Sequence, residues 1–259
     1  MTNDDGIDSE GLWHLAAAVA QAGLDVVVAA PASDASGIGS AIKADQDGDG
    51  RVKVQRRELP GPAAGIPAYA LTATPGFIVV IAMRGAFGAA PQYVLSGINR
   101  GANTGRGVLS SGTVAAALIA LANGVPAAAF SLDVEDPPGG PLVARPEWPT
   151  AAFVAGQVIL ALADLPPNVA LSVNIPNLPP ARLGGTHRTT LAAFGAIQAP
   201  VTPTAEGYLQ LGLPPAAYLP DPGSDSAVLA SGCVSVTPLR GVSDVTAVSL
   251  PWPAVAAPR

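Results

Sequence analysis

From residue 9 to about residue 175 the chain alternates between helix-like segments and short apolar runs rich in β-branched residues. No other feature constrains the fold as tightly. Residues 9–22 place Leu12, Leu15, Ala16 and Val19 on one helical face, and Gly23 suits the end of that helix. Asp25 to Ala30 carries Val26-Val27-Val28 and is stopped by Pro31, the pattern of a strand buried on both faces. The segment from about 42 to 71 reads as a hairpin. Thr74-Pro75 opens a second helix, with Thr74 as N-cap and Pro75 at the first helical position, and its apolar body runs to about Gly88. Tyr93 to Ser96 reads as a strand, Ser111 to Gly124 as a helix, Ala127 to Leu132 as a strand, 150–163 as a helix and Val169 to Val173 as a strand. Alternation of this kind implies an α/β fold: a mostly parallel sheet with helices on both faces. Beyond 180 the pattern changes to short β-like runs, Arg188 to Phe194 and Val234 to Thr237, which suggests a β-rich C-terminal extension.

The chain has 259 residues, enough for one large domain or a core with an appendage. It is 49% hydrophobic and only 12% charged, so material for a core is ample. Its 29 glycines and 27 prolines mostly punctuate apolar segments and read as turns, and the Pro-rich stretches 137–149 and 214–223 read as exposed loops. A net charge of −6 argues against a nucleic-acid polymer as partner. A small phosphate-bearing molecule stays compatible if a metal supplies local positive charge. A single cysteine, Cys233, excludes an internal disulfide and fits a reducing compartment. With no leader-like start and no apolar run of roughly 20 residues, the expectation is a cytoplasmic protein without a membrane partner.

In an open α/β sheet, ligands bind beyond the carboxyl ends of the strands, which directs attention to loops 2–8, 31–40 and 96–113. Asp4 and Asp5 are adjacent in the first. Without a cation they repel, and one must take a proton; a hard divalent ion such as Mg²⁺ or Mn²⁺ removes the conflict. A solvated acidic turn is the alternative. Ser33 to Gly39 offers hydroxyls and flexible backbone, and an ordinary strand-to-helix turn would look the same. Ser96 to Gly105 carries Asn99 and Asn103 among glycines that let backbone approach a ligand. It lacks the Gly-Lys-Ser/Thr ending of a P-loop. Ser110-Ser111-Gly112-Thr113 then leads into a helix whose free amides suit a phosphate, unless Ser111 is simply its N-cap.

Together these loops resemble a known pattern. Thr2-Asn3-Asp4-Asp5-Gly6-Ile7-Asp8-Ser9-Glu10-Gly11-Leu12 is similar to the N-terminal motif of the SurE family, the survival-protein nucleotidases. Ala30-Pro31 with Ser36-Gly37-Ile38-Gly39 resembles its second motif. Ser96-Gly97-Ile98-Asn99-Arg100-Gly101-Ala102-Asn103, with Ser111-Gly112-Thr113-Val114-Ala115-Ala116-Ala117, resembles its third and most specific motif. Asn174-Ile175-Pro176 and Gly232-Cys233-Val234-Ser235-Val236-Thr237-Pro238-Leu239 match later landmarks, so the resemblance covers nearly the whole chain. It implies a Rossmann-like core over 1–178 and a β-rich extension over 179–259 used for oligomerisation, with 224–240 packing back on the core. It implies a homodimer or homotetramer holding one divalent metal ion per subunit, Mg²⁺ or Mn²⁺, and hydrolysing nucleoside 5′- or 3′-monophosphates. By motif position Asp4, Asp5, Ser36 and Asn99 are the metal ligands, and Asp4 or Asp5 takes up the proton. Asn3, Gly37, Asn103, Ser111, Gly112 and Thr113 are the expected phosphate or substrate contacts.

Three departures bear on this pattern. The family places a short apolar strand ahead of Thr2, where this chain has Met1; the expectation is a start a few residues upstream and, in the chain as written, a missing central strand. Ser40-Ala41 stands where a histidine follows the second motif, and Ala73-Thr74-Pro75-Gly76-Phe77 lacks an acidic residue at 77. These positions are expected to shape the base or leaving-group side of the pocket. They motivate a second reading, a weak or inactive family member that binds nucleotides or serves as a scaffold. Asp45 to Val52 resembles the start of a calcium loop, but Arg56 occupies the position of the bidentate Glu, so a solvated acidic turn is expected. A serine hydrolase is disfavoured: only His14 and His187 could act as base, and no Gly-x-Ser-x-Gly elbow exists.

Overall fold

The computed structural model describes residues 1–134, 145–193, 201–204, 207–211 and 221–244. In chain order the elements are α1 (Glu10–Gln21), β1 (Val28–Pro31), β2 (Val54–Arg57), β3 (Ala68–Leu71), α2 (Pro75–Ala82), β4 (Val94–Arg100), α3 (Gly112–Ala122), β5 (Ala127–Asp133), α4 (Trp148–Ala161), β6 (Val169–Pro176), β7 (Thr186–Arg188), β8 (Val201–Pro203), β9 (Leu209–Leu211), α5 (Asp225–Ala230) and β10 (Val234–Arg240). The fold is mixed α/β, with a mostly parallel central sheet flanked by helices.

Strands β4, β5 and β6 run parallel. β10 lies antiparallel against β6 and parallel to β7, giving the order β4-β5-β6-β10-β7. Alternation along β5 sorts the core into two layers. Ala128, Phe130 and Leu132 face a cluster with Leu15 and Val19 of α1 and with Trp148, Ala151, Val154 and Ile159 of α4. Ala127 and Ala129 face Val79 of α2 and Val114, Ala117 and Leu121 of α3. Phe130 and Leu132 are fully buried, and each contributes about 1.5–3 kcal/mol of hydrophobic stabilisation. The backbone of α1 crosses β4 so closely that a Cβ on Gly11 would collide with the Ile98 carbonyl.

A second sheet, β1-β3-β2, pairs β1 with β3 in parallel and β2 with β3 antiparallel, so the expected hairpin is present in its last strands. Two residues stitch the sheets together. The Met1 carbonyl accepts from Ala29 N at 2.9 Å, Thr2 N donates to Leu95 O at 3.0 Å, and Gly97 N donates to Thr2 O at 2.9 Å. On the amino side of Met1 a cavity of about 560 Å³ separates the sheets, lined by residues including Val26, Val27, Val79, Tyr93 and Leu95. The Met1 ammonium is buried there, donates to Val27 O at 2.7 Å, and is pushed down from 8.0 to about 6 by burial. The two sheets are thus bridged through the backbone of Met1 and Thr2.

Local signals placed several boundaries correctly. The Thr74 hydroxyl accepts from Phe77 N and the Ser111 hydroxyl from Val114 N, so both are true N-caps. α2 ends at Ala82, short of Gly88: Gly85 takes a left-handed φ of 81° and Ala86 N returns to Ile81 O, closing the helix. α4 starts at Trp148, two residues earlier than expected. The β-like run expected from Arg188 instead ends there as β7, and Phe194 lies outside the described residues, as do 137–144 and 214–220 of the Pro-rich loops. Among the described residues no helix is long and apolar enough to cross a membrane.

Candidate active site

The carboxyl ends of the strands bring the three loops together. A cleft of about 270 Å³ is lined by Asp4, Ser36, Gly37, Asn99 to Thr104, Gly107, Ser110 and Ser111. It is smaller than the cavity beside Met1, but the larger one holds none of the candidate site residues.

Asp4 sits at the cleft floor, 3% exposed. Its Oδ1 accepts from the Thr113 hydroxyl and its Oδ2 from Thr113 N at 3.1 Å, so the first turn of α3 fixes the carboxylate. That approach needs glycine at 112, since a Cβ there would lie 2.7 Å from Asp4 Oδ2. Burial pushes the Asp4 carboxyl up, and the bonds from Thr113 oppose the shift. Asp5 Oδ1 accepts from Arg100 N at 3.3 Å, while its Oδ2 is buried without a hydrogen-bond partner. Burial first, then the charge of Asp4, pushes the Asp5 carboxyl up to about 7; Asp34 adds to the effect and the Arg100 amide opposes it.

The remaining expected residues divide. Asn99 turns its amide nitrogen to Gly101 O at 2.8 Å, leaving Oδ1 near the Thr113 hydroxyl at 3.4 Å. Its aim follows from a register shift in β4 between Ser96 and Asn99. Ser36 is exposed at the rim, its amide and hydroxyl both donating to Asp34 Oδ1, at 2.8 and 2.6 Å. Gly37, at φ 76°, borders the same rim. Asn103 donates its amide to Ser131 Oγ at 2.9 Å. Ser111 lines the cleft and caps α3. Thr113 is fully buried beneath Asp4 and holds that carboxylate, away from the cleft surface. Asn3, expected as a substrate contact, is also fully buried. Its amide donates to Gly6 O at 3.0 Å and accepts from Gly6 N at 3.2 Å, so it closes the turn that aims Asp4 and Asp5.

A hard divalent cation fits these groups. Two neighbouring carboxylates form no ion pair with lysine or arginine among the described residues. One carboxylate oxygen is buried and unpartnered. The nearby donors, Asn99 Oδ1 and Ser36 Oγ, are neutral oxygens, the set preferred by Mg²⁺ and Mn²⁺.

Three contributors escaped sequence reasoning. Asp34 adds charge near Asp5 and engages Ser36. Arg100 supplies both the amide that meets Asp5 and a basic residue at the cleft wall. Asn174, fully buried on β6, accepts from Asn103 N at 2.8 Å and donates to Asn103 O at 3.0 Å. Asn174 had a signal in the Asn174-Ile175-Pro176 motif and Arg100 in the Ser96 to Asn103 motif, but neither motif gave the contact. His14 on α1 and the exposed His187 on β7 do not line the cleft. In the calcium-like loop Arg51 bonds Asp47 at 2.8 Å and Asp49 at 2.9 Å, so an arginine balances this exposed acidic turn.

Comparison with known proteins agrees with this geometry. Residues 1–195 match the family profile described as survival protein SurE. The 5′-nucleotidase SurE of Rubrobacter xylanophilus is 37% identical over 248 residues, covering 93% of this chain and 90% of that protein. The 5′-nucleotidase SurE of Pseudomonas entomophila is 35% identical over 245 residues, with the same coverage. The crystal structure of the SurE protein from Aquifex aeolicus superposes with a TM-score of 0.73 at 27% identity, covering 92% of this chain and 91% of that one. The chain belongs to the SurE survival-protein family.

Proposed function

We propose that this chain is a divalent-metal-dependent phosphomonoesterase that releases phosphate from nucleoside 5′-monophosphates, and from 3′-monophosphates at the same site. The observation that carries the reading is the Asp4–Asp5 pair. Asp4 lines the cleft beside the N-terminus of α3, the adjacent Asp5 keeps a buried oxygen without a partner, and neither pairs with lysine or arginine among the described residues. Relatives that match over 93% of the chain carry the name 5′-nucleotidase, which supports a nucleotide as substrate.

Asp4, Asp5, Ser36 and Asn99 would hold the metal, Mg²⁺ or Mn²⁺. When bound it supplies charge against a phosphoryl oxygen and lowers the pKa of a coordinated water. The protein's own groups divide the remaining work. Thr113 engages both oxygens of Asp4 and keeps that side chain in one orientation. Asp5 retains an unpartnered oxygen and, in this reading, would accept the proton of the attacking water. As the water oxygen bonds to phosphorus, the ester P–O bond breaks and the nucleoside leaves as an alcohol after taking up a proton. Asn103 and Ser111, which line the cleft, would contact phosphoryl oxygens.

The chain is further read as a homodimer or homotetramer. The β8–β9 hairpin leaves Tyr208 and Leu209 about two-thirds exposed, and an isolated two-stranded hairpin is marginal without further packing.

A panel of nucleoside 5′- and 3′-monophosphates, assayed for phosphate release with Mg²⁺ or Mn²⁺, tests the reading. Metal-dependent release from at least one nucleotide is expected. Binding without release from any of them would assign the chain to the nucleotide-binding or scaffold class instead.

A further inference from the structure

Asp225 is a carboxylate with no part in the chemistry above, yet it is fully buried. No lysine or arginine pairs with it among the described residues. Three backbone amides from separate stretches of chain donate to it instead. Gly105 N meets Oδ2 at 2.8 Å, Ala192 N meets Oδ1 at 2.9 Å, and Ser226 N meets Oδ1 at 2.8 Å. Burying a charge is costly unless its oxygens are satisfied, and here the donors are distributed so that both are.

The Gly105 bond spans 120 positions of sequence and enters the loop that forms one wall of the cleft. Gly105, at φ 56°, begins the 3-10 turn Gly105–Ser110 that delivers the chain to Ser111 and α3. Two residues earlier the backbone of Asn103 is gripped on both sides by Asn174. The loop between Asn99 and Ser111 is therefore pinned at Asn103 from β6 and at Gly105 from α5, with Thr104 buried between them. A loop of this length without such ties would sample many conformations and place its amides poorly for transition-state contacts.

We infer that Asp225 is a positioning residue for the phosphate-binding wall: its carboxylate clamps Gly105, and through it couples the 190–192 segment and α5 to the geometry of Asn103 and Ser111. This rests on the nucleotidase reading for its consequence in catalysis but not for the clamp itself. Both oxygens must accept. Asparagine, of the same shape, presents an NH₂ to one of the amides and leaves that N–H without an acceptor.

The experiment compares the full-length wild type with Asp225→Asn and Ser224→Ala. The latter removes the N-cap of α5, whose hydroxyl accepts from Ala227 N at 3.3 Å, without touching Gly105. Amide exchange at Gly105 and Asn103 is read by NMR, alongside kcat and KM for a nucleoside monophosphate with Mn²⁺. Asp225→Asn is expected to speed exchange at Gly105 at least about tenfold and to lower kcat/KM about 10- to 100-fold, mainly through kcat. Ser224→Ala is expected to leave both within about twofold even though it lowers Tm. Unchanged exchange at Gly105 in Asp225→Asn, or equal losses in Ser224→Ala, overturns the clamp. If the wild type hydrolyses no nucleotide, the nucleotidase reading fails, and the exchange data alone still decide the clamp. If Asp225→Asn does not fold, a chain with glycolic acid at 105, which deletes only the N–H facing Oδ2, carries the same expectation and the same refutation.

Discussion

Replacing Asp5 by Asn should stabilise the metal-free protein while abolishing metal binding. The Asp5 carboxyl is displaced from its ordinary 3.8 to about 7, and each pH unit of displacement corresponds to about 1.4 kcal/mol. Full conversion gives about 4 kcal/mol of destabilisation in the charged form. Because the residue is only partly buried, solvent screening brings the expectation to about 2–4 kcal/mol. The sign follows from proton linkage. A carboxyl raised on folding binds more protons in the native state, so its cost is absent below pH 3.8 and grows as pH rises toward 7. Asparagine removes that cost and can keep the bond from Arg100 N through its own Oδ1. Urea unfolding in EDTA should therefore find Asp5→Asn more stable by about 2–4 kcal/mol at pH 8 and by clearly less at pH 5. With millimolar Mn²⁺ at pH 8 the order should shrink or reverse, since ligand binding favours only the carboxylate form. A variant no more stable than wild type in EDTA at pH 8, or an equal gap at both pH values, refutes the claim that Asp5 is held in place for a cation.

Other perturbations reach the same site from different directions. Thr113→Val deletes the hydroxyl that donates to Asp4 and should weaken Mn²⁺ binding by about 10- to 100-fold in calorimetry, with circular dichroism unchanged. Gly112→Ala puts a Cβ 2.7 Å from Asp4 Oδ2 and should abolish both metal binding and hydrolysis; activity within twofold of wild type contradicts the packing of α3 on Asp4. In the Asp5→Asn background, stability should rise by about 2 kcal/mol between pH 6 and pH 8. This follows because the buried Met1 amine, lowered from 8.0 to about 6, loses its proton more easily when folded. An Nα-acetylated chain should lack that slope. Placing four β-branched residues ahead of Met1, into the cavity between β1 and β4, should raise Tm by at least about 5 °C.

The α/β class and most of the helices and strands in the first 175 residues were legible because their signals are local. Leu12, Leu15 and Val19 repeat at helical spacing, and Thr74 and Ser111 cap the turns that follow them. What stayed hidden depends on contacts between distant parts of the chain. The roles of Thr113 beneath Asp4 and of Asp225 beneath Gly105 arise across 109 and 120 positions, and neither residue type announces such a partner. Asn3 was expected at the substrate because it adjoins Asp4, but the left-handed φ of 101° at Gly6 folds the turn back on it and consumes its amide. The early end of α2 turns on Gly85 adopting a left-handed conformation, which an apolar run extending past it obscures. The stitch of Met1 and Thr2 between two sheets had no periodicity to reveal it, since two residues cannot display one.

Phosphate release from adenosine 5′-monophosphate during a chelator titration tests the central claim most directly. Wild-type protein in Mn²⁺ should release phosphate, lose that activity as EDTA exceeds the metal, and recover it when Mn²⁺ is restored. Asp5→Asn should stay at background throughout. Release that persists in excess EDTA, or that Asp5→Asn retains in full, would contradict the assignment of the Asp4–Asp5 cleft as the metal-dependent centre.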